Sequence, residues 1–274
     1  ASISPEANAN GWHDGAVIVS FSGTDDLSDI DSCSDNVLLT GDGAGQSTSG
    51  ICTDLAGNVS ALATASGINI DQTAPVASAD VSPAANASGW HNSDVTVSFS
   101  GSDAVSGIAS CTADVILTAE GIGQSASGTC TDLAGNESAA AVVSDIDIDK
   151  TAPTASATVS PETGAGGWHT TDVTVSFSGA DDLSGLAFCT IDQLLTEDGA
   201  DQSSSGTCAD RAGNVSDPAV ASHINIDQTP PSASTAITPA ANANGWHNGD
   251  VTVSFSGEDS TSGIASCTAD AVLT

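Results

Sequence analysis

The groups with chemistry to offer in this chain are its seven cysteines, five histidines and thirty-five carboxylates. Six of the cysteines stand in couples of one spacing, Cys33 with Cys52, Cys111 with Cys130 and Cys189 with Cys208, while Cys267 stands alone. No Cys-x-x-Cys occurs, so a thiolate metal cluster lacks its ligand set, and regular couples in a chain poor in lysine point to three disulfides and an oxidising compartment. Each would close a loop of about 20 residues and stabilise by roughly 3 kcal/mol. His13, His91, His169 and His247 each follow a tryptophan, one to a unit, with no second ligand in sight for zinc. The carboxylates face only Lys150 and Arg211, for a formal net charge of −33. Such a charge excludes nucleic acid and anionic membrane surfaces as partners and attracts cations; a salt-rich habitat accounts for it equally well. There is no Gly-x-Ser-x-Gly, no Gly-x-x-x-x-Gly-Lys and no His-Glu-x-x-His, so no enzyme is expected.

The spacing of these groups comes from repetition. Gly-Trp-His recurs at Trp12, Trp90, Trp168 and Trp246, and the cysteines recur with it, each copy 78 residues after the last. Asp71-Gln-Thr-Ala-Pro75, Asp149-Lys-Thr-Ala-Pro153 and Asp227-Gln-Thr-Pro-Pro231 close the first three units. The expected domains are therefore 1–75, 76–153, 154–231 and an incomplete fourth, 232–274. A unit of this size with so few aromatics has a marginal core and needs a covalent staple. No apolar run is long enough to span a membrane, and the start of the chain reads as a mature or internal segment.

The elements that must position the cysteines and carboxylates are strands. Val95, Val97 and Phe99 alternate with Thr96, Ser98 and Ser100, and the third and fourth units repeat the pattern. Ile146 and Ile148 mark an alternating last strand, as do their counterparts Ile68 and Ile70, Ile224 and Ile226. Short β-prone runs near Ile108, Val115 and Ser127 lie between turn clusters of Gly, Ser, Asn and Asp. The fold class expected is all-β: tandem immunoglobulin-like β-sandwich repeats of 78 residues, six or seven strands and one internal disulfide each. Asp145-Ile-Asp147-Ile-Asp149 reads as strand rather than as the start of a calcium-binding helical loop, because isoleucines interleave the acids and Lys150 stands where that loop requires glycine.

The run Gly89 to Asp103, then Ser106-Gly-Ile108, Thr131-Asp-Leu-Ala-Gly-Asn136 and Asp149-x-Thr-Ala-Pro153, resembles the bacterial immunoglobulin-like repeats of large cell-surface proteins and adhesins. The cysteine couple and the histidine after tryptophan are additions to that pattern. The resemblance covers the whole chain and implies a modular, extracellular, surface-exposed polypeptide, with calcium as cofactor at or near the repeat junctions. In such a sandwich the loop after the second strand and the hairpin before the last meet the incoming linker at one end. The candidate calcium ligands are then Asp71 with Asp103 and Asp132, Asp149 with Asp181 and Asp210, and Asp227 with Asp259. Hard oxygen donors from several loops suit that ion, although each Asp in Asp-x-Ala-Gly-Asn equally suits an Asx turn, with Gly135 and Asn136 tolerant of left-handed backbone.

The function expected is structural or adhesive: a stalk, adhesin shaft or filament subunit. The alternative is a spacer or carbohydrate-binding module of a secreted polysaccharide-active enzyme. Partners expected are neighbouring repeats, identical chains adding strands to form a filament, and a cell-surface or glycan ligand. Asn58, Asn86, Asn136 and Asn214 lie in Asn-x-Ser sequons, of which three are also the Ala-Gly-Asn turn.

Overall fold

The computed structural model describes residues 1–164 and 166–274, and every regular element among them is a strand. The chain divides into two compact units, Ala1–Asp149 and Lys150–Thr274. No helix long and apolar enough to cross a membrane occurs among the described residues.

In the first unit, the second repeat shows how the sandwich is made. Val95–Ser102 is the central strand of one layer, flanked antiparallel by Val76–Ser82 and Val115–Leu117. Alternation sends Val95, Val97 and Phe99 inward, where they are at most 8% exposed, and leaves serine and threonine on the other face. The opposite layer pairs Gly121–Gly128 with Ala141–Ile148 and adds the short parallel strand Trp90–His91. Ala126, Ile146 and Ile148 from this layer complete the core against the valines and Phe99. A core drawn from the inner faces of both layers is what makes the repeat a sandwich.

The strand Gly121–Gly128 is made from residues of low β propensity and carries two register shifts. Polar contacts hold it in place. The Asp147 side chain accepts from the Gly123 amide at 2.7 Å, and Gln124 Nε2 donates to the carbonyl of Ala119 at 2.9 Å. At its far end Gly128 lies under the Phe99 ring, so that a Cβ there would sit 2.7 Å from ring carbons. Gly50 under Phe21 and Gly206 under Phe177 repeat the contact. Gly128→Ala is accordingly expected to destabilise the second repeat by about 1–3 kcal/mol through overpacking. Denaturant unfolding of the full chain would show a midpoint loss confined to one of its transitions.

Ile108–Cys111 and Cys130–Asp132 form a two-stranded antiparallel pair in which Cys111 and Cys130 face each other and are bonded. Cys33–Cys52 and Cys189–Cys208 are bonded in the same way, and Cys267 is free and exposed. The first repeat follows the same plan, with Val17, Val19, Phe21, Ile68 and Ile70 as its core.

In the second unit, Thr154–Ser160, Val173–Ala180 and Gln193–Leu195 form one layer, and Gly199–Gly206 pairs with Ala219–Ile226 in the other. Val173, Val175, Phe177, Ala221, Ile224 and Ile226 fill the space between them. The fourth repeat has a three-stranded sheet of Ser232–Thr238, Val251–Glu258 and Ala271–Leu273. The protein is thus all-β, with three disulfide-pinned sandwich repeats followed by the sheet of the fourth.

Candidate functional site

The site grows from the end of the first repeat's last strand, Ala63–Ile70. His13 pairs with Ile70, and its carbonyl accepts the Asp71 amide at 2.9 Å, which fixes where the strand stops and the linker begins. Asp71 then turns into the end of the second repeat. Its Oδ1 accepts the Thr73 amide at 3.1 Å and its Oδ2 the Ser106 amide at 3.0 Å.

Two loops of the second repeat meet it. Asp103 Oδ1 accepts the amides of Val105, Ser106 and Gly107 at 2.9–3.0 Å, closing the loop after the central strand. Asp132 Oδ1 accepts the amides of Gly135 and Asn136, and its Oδ2 accepts Asn136 Nδ2 at 2.8 Å, shaping the hairpin. Gly135 takes φ +106°, which glycine alone tolerates well, whereas Asn136 is not among the residues with positive φ. Asn136 Nδ2 also reaches back to the Asp71 carbonyl at 2.9 Å.

The structure therefore brings Asp71, Asp103 and Asp132 together, with a carboxylate oxygen of each lying within 4.8 Å of the others. Asp71 is 0% and Asp132 1% exposed. Two buried carboxylates beside a third repel one another strongly in a medium less polar than water. No side-chain cation is bonded to them among the contacts of this unit, and the hydrogen bonds above supply only partial positive charge. Burial disfavours the Asp103 carboxylate, but the amides of Gly107, Val105 and Ser106 outweigh it and hold the group below the usual range. Ser106 is 8% exposed, and its hydroxyl oxygen is buried without a hydrogen-bond partner among the described residues. A hard divalent cation fits this donor set: oxygen ligands only, net negative charge, and one hydroxyl left over.

The other predicted carboxylates fall into the same local turns. Asp149 closes the first unit, buried, with its amide on the His91 carbonyl. In the second unit Asp181 accepts the amides of Leu183 and Gly185, and Asp210 accepts those of Gly213 and Asn214. Asp227 accepts the amides of Thr229 and Ser262, and Asp259 those of Thr261, Ser262 and Gly263.

Residues outside these sets also hold the first linker. Asp42 accepts the Thr73 hydroxyl at 2.7 Å and the Gln72 amide at 3.0 Å; the hydroxyl first and then the amide keep its carboxyl below the ordinary range. Asp198 makes the same bonds to Thr229 and Gln228. Asn8 Nδ2 donates to the carbonyls of Leu133 and Ala134 at 2.9 Å, and Asn10 Nδ2 to Leu133 at 3.0 Å, so the first repeat grips the hairpin that carries Asp132. The available signal was recurrence: an acid at 42, 120 and 198, and asparagine at 8, 86 and 242 with Gly164 in the third copy.

The side-chain amides of the sequon residues Asn58, Asn136 and Asn214 are engaged by Asp54, Asp132 and Asp210 at 2.8 Å. Trp12, Trp90 and Trp168 are half-buried, and Trp168 lines a cleft with Asp227, Pro231 and Asp259.

No family model matches the chain, and no curated protein matches it. Among solved structures it is similar to the fibronectin(III)-like modules of Clostridium thermocellum CbhA, at 11% identity and a TM-score of 0.30, over 54% of this chain and 94% of that one. It is also similar to the Bacteroides ovatus mixed-linkage glucan utilization locus SGBP-B, solved in complex with a mixed-linkage heptasaccharide, at 12% identity and a TM-score of 0.16, over 90% of this chain and 72% of that one. Likeness at this level carries no weight for function.

Proposed function

We propose that this chain is a segment of an extracellular surface protein, a stalk, adhesin shaft or filament subunit, whose repeat junctions are stiffened by calcium. The observation that carries the reading is the meeting of Asp71, Asp103 and Asp132, two of them buried, where one repeat hands over to the next. A cation there would take oxygens from all three and supply the charge that the carboxylates lack. The chain's own residues do the rest: Asp42 and Thr73 brace the linker from one side, and Ser106 and Asn136 from the other. A linker held on both sides transmits load and orientation instead of bending, which is what a shaft requires. Three internal disulfides support an oxidising location.

A ligand that binds the folded state alone stabilises by about 2.7 kcal/mol when present at a hundred times its Kd. Calcium at millimolar concentration should therefore raise the melting temperature of the full chain by several degrees and narrow its distribution of dimensions in small-angle scattering. A chelator should reverse both. Identical melting and scattering in calcium and in chelator would remove the junction reading.

A further inference from the structure

Residues 8–12 of the first repeat form a closed turn. The Asn8 amide donates to the Trp12 carbonyl at 2.8 Å, and the Gly11 amide to the Asn8 carbonyl at 2.9 Å. The Asn8 side-chain oxygen accepts the amides of Asn10 and Trp12 at 2.9 and 3.1 Å. Gly11 takes φ +80°, and a Cβ built on it would meet nothing within 4 Å, so the position is open while its backbone suits glycine. Two side chains reach from this turn to the second repeat. Asn10 Nδ2 and Asn8 Nδ2 both donate to the Leu133 carbonyl, at 3.0 and 2.9 Å, and Asn8 Nδ2 donates also to that of Ala134. Both carbonyls belong to the hairpin that Asp132 shapes.

Asn10 is exposed and is followed by glycine, a dipeptide with chemistry of its own. No side chain shields a glycine nitrogen, so the Gly11 nitrogen, once hydroxide has taken its proton, can attack Cγ of Asn10. The new N–Cγ bond closes a succinimide ring, and the side-chain nitrogen leaves as ammonia. Water then opens the ring at one of its two carbonyls. The product is aspartate, or isoaspartate with the main chain rerouted through the former side-chain carbonyl. One amide and one water have become one acid and one ammonia, with no change of oxidation state. The second and third repeats carry Ser88 and Gly166 at this position, which cannot react in this way.

We propose that Asn10 is a site of spontaneous deamidation whose rate is set by the opening of its grip on Leu133 and whose product cannot re-form that grip. When the turn is closed, both reacting groups are held. The Gly11 N–H is engaged by the Asn8 carbonyl, and the Asn10 side chain is anchored at Leu133. Reaction therefore proceeds from the open state, and the population of that state scales the rate. Afterwards the side chain has lost its donor. A carboxylate at position 10 would set oxygen against the Leu133 carbonyl oxygen, on a hairpin that already carries Asp132. Isoaspartate lengthens the main chain by one carbon and breaks the turn itself. Asn8 keeps its own bonds to Leu133 and Ala134, so the repeat stays folded and the loss is local. The contact between the two repeats thereby records, irreversibly, how often it has opened. These hydrogen bonds suffice for the coupling, with or without a cation beside Asp71.

The test incubates the full chain and a synthetic peptide of residues 6–14, acetylated and amidated, side by side in mildly alkaline buffer. Chelator is present throughout, so the outcome does not depend on a junction cation. Conversion at Asn10 is followed by peptide mapping and mass spectrometry. The expected result is conversion in both, at least about tenfold slower in the chain. Amide hydrogen exchange at residues 133–136 should then be at least about threefold faster in the aged chain than in the fresh one, and equally fast in fresh Asn10→Asp. Asn-Gly also occurs at Asn244 and Asn248, and an aged Asn10→Gln chain controls for their conversion. That variant keeps an amide donor and closes the larger ring far more slowly, so its hairpin should exchange as in the fresh parent. Conversion as fast in the chain as in the peptide, or none in the chain while the peptide reacts to completion, would overturn the proposal. So would unchanged exchange at the hairpin in Asn10→Asp, or equal loosening of the aged Asn10→Gln chain.

Discussion

Replacing Cys111 and Cys130 together by alanine is expected to destabilise the second repeat by about 3 kcal/mol, because the cross-link closes a loop whose loss restores that much chain entropy to the unfolded state. The cysteines are 19 residues apart and face each other across one antiparallel pair. That pair lies beside the core formed by Val95, Val97, Phe99, Ala126, Ile146 and Ile148, and Cys111 packs against it. A core of five small and medium side chains plus one ring leaves little reserve. At roughly 4–8 °C per kcal/mol for a domain of this size, the melting transition of the second repeat should fall by about 12–24 °C. Calorimetry of the full chain should show one displaced component while the first and third repeats keep theirs. A displacement of all components together would mean that the repeats do not unfold independently, and no displacement would mean that the bond is ornamental.

The second large effect is expected at Asp132. The side chain is 1% exposed and accepts three hydrogen bonds, from the amides of Gly135 and Asn136 and from Asn136 Nδ2. Asp132→Ala strands these donors and frees Asn136, which holds the Asp71 carbonyl. Each hydrogen bond to a charged acceptor is worth about 1.5–3 kcal/mol, and the losses are not additive, so a total near 3 kcal/mol is expected. Asp132→Asn keeps an acceptor for the two amides while removing the charge. It should therefore retain the hairpin at a smaller cost and lose the stabilisation by calcium. Asp54→Ala, which disturbs the same turn in the first repeat, should leave the calcium response of the Asp71 junction intact. If Asp132→Asn responded to calcium as fully as the parent chain, the carboxylate would be a turn-former and nothing more.

What the sequence made legible were features with a local or periodic signal. Val95, Val97 and Phe99 announce their strand by alternation, and the 78-residue recurrence of the cysteines aligns the repeats before any fold is assumed. Asp71, Asp103 and Asp132 come from segments far apart in sequence, and only the topology of a sandwich suggests that they could meet. The strand Gly121–Gly128 carried no such signal: glycines and serines have low β propensity, and its pairing is imposed by Ala141–Ile148 together with Asp147 and Gln124. The short run expected near Ser127 thus covers only the end of that strand and its successor Cys130–Asp132. Val76–Ser82 was equally quiet, because alanine and serine alternate without marking a buried face. Asparagine tolerates left-handed backbone, but at this hairpin Gly135 takes that conformation, and the Asn136 side chain instead ties the hairpin to the linker. The grips of Asn8 on Leu133 and of Asp42 on Thr73 join residues 125 and 31 positions apart. Polar contacts between distant surface loops leave no periodic trace, and recurrence alone marks the positions as candidates.

The account turns on whether the first junction holds a cation. Crystals of the full chain grown in calcium and measured at long wavelength give an anomalous difference map that answers this by position. The predicted result is a peak coordinated by oxygens of Asp71, Asp103 and Asp132 at about 2.3–2.6 Å. A map without density there at saturating calcium, with the three carboxylates satisfied by amides alone, would contradict it.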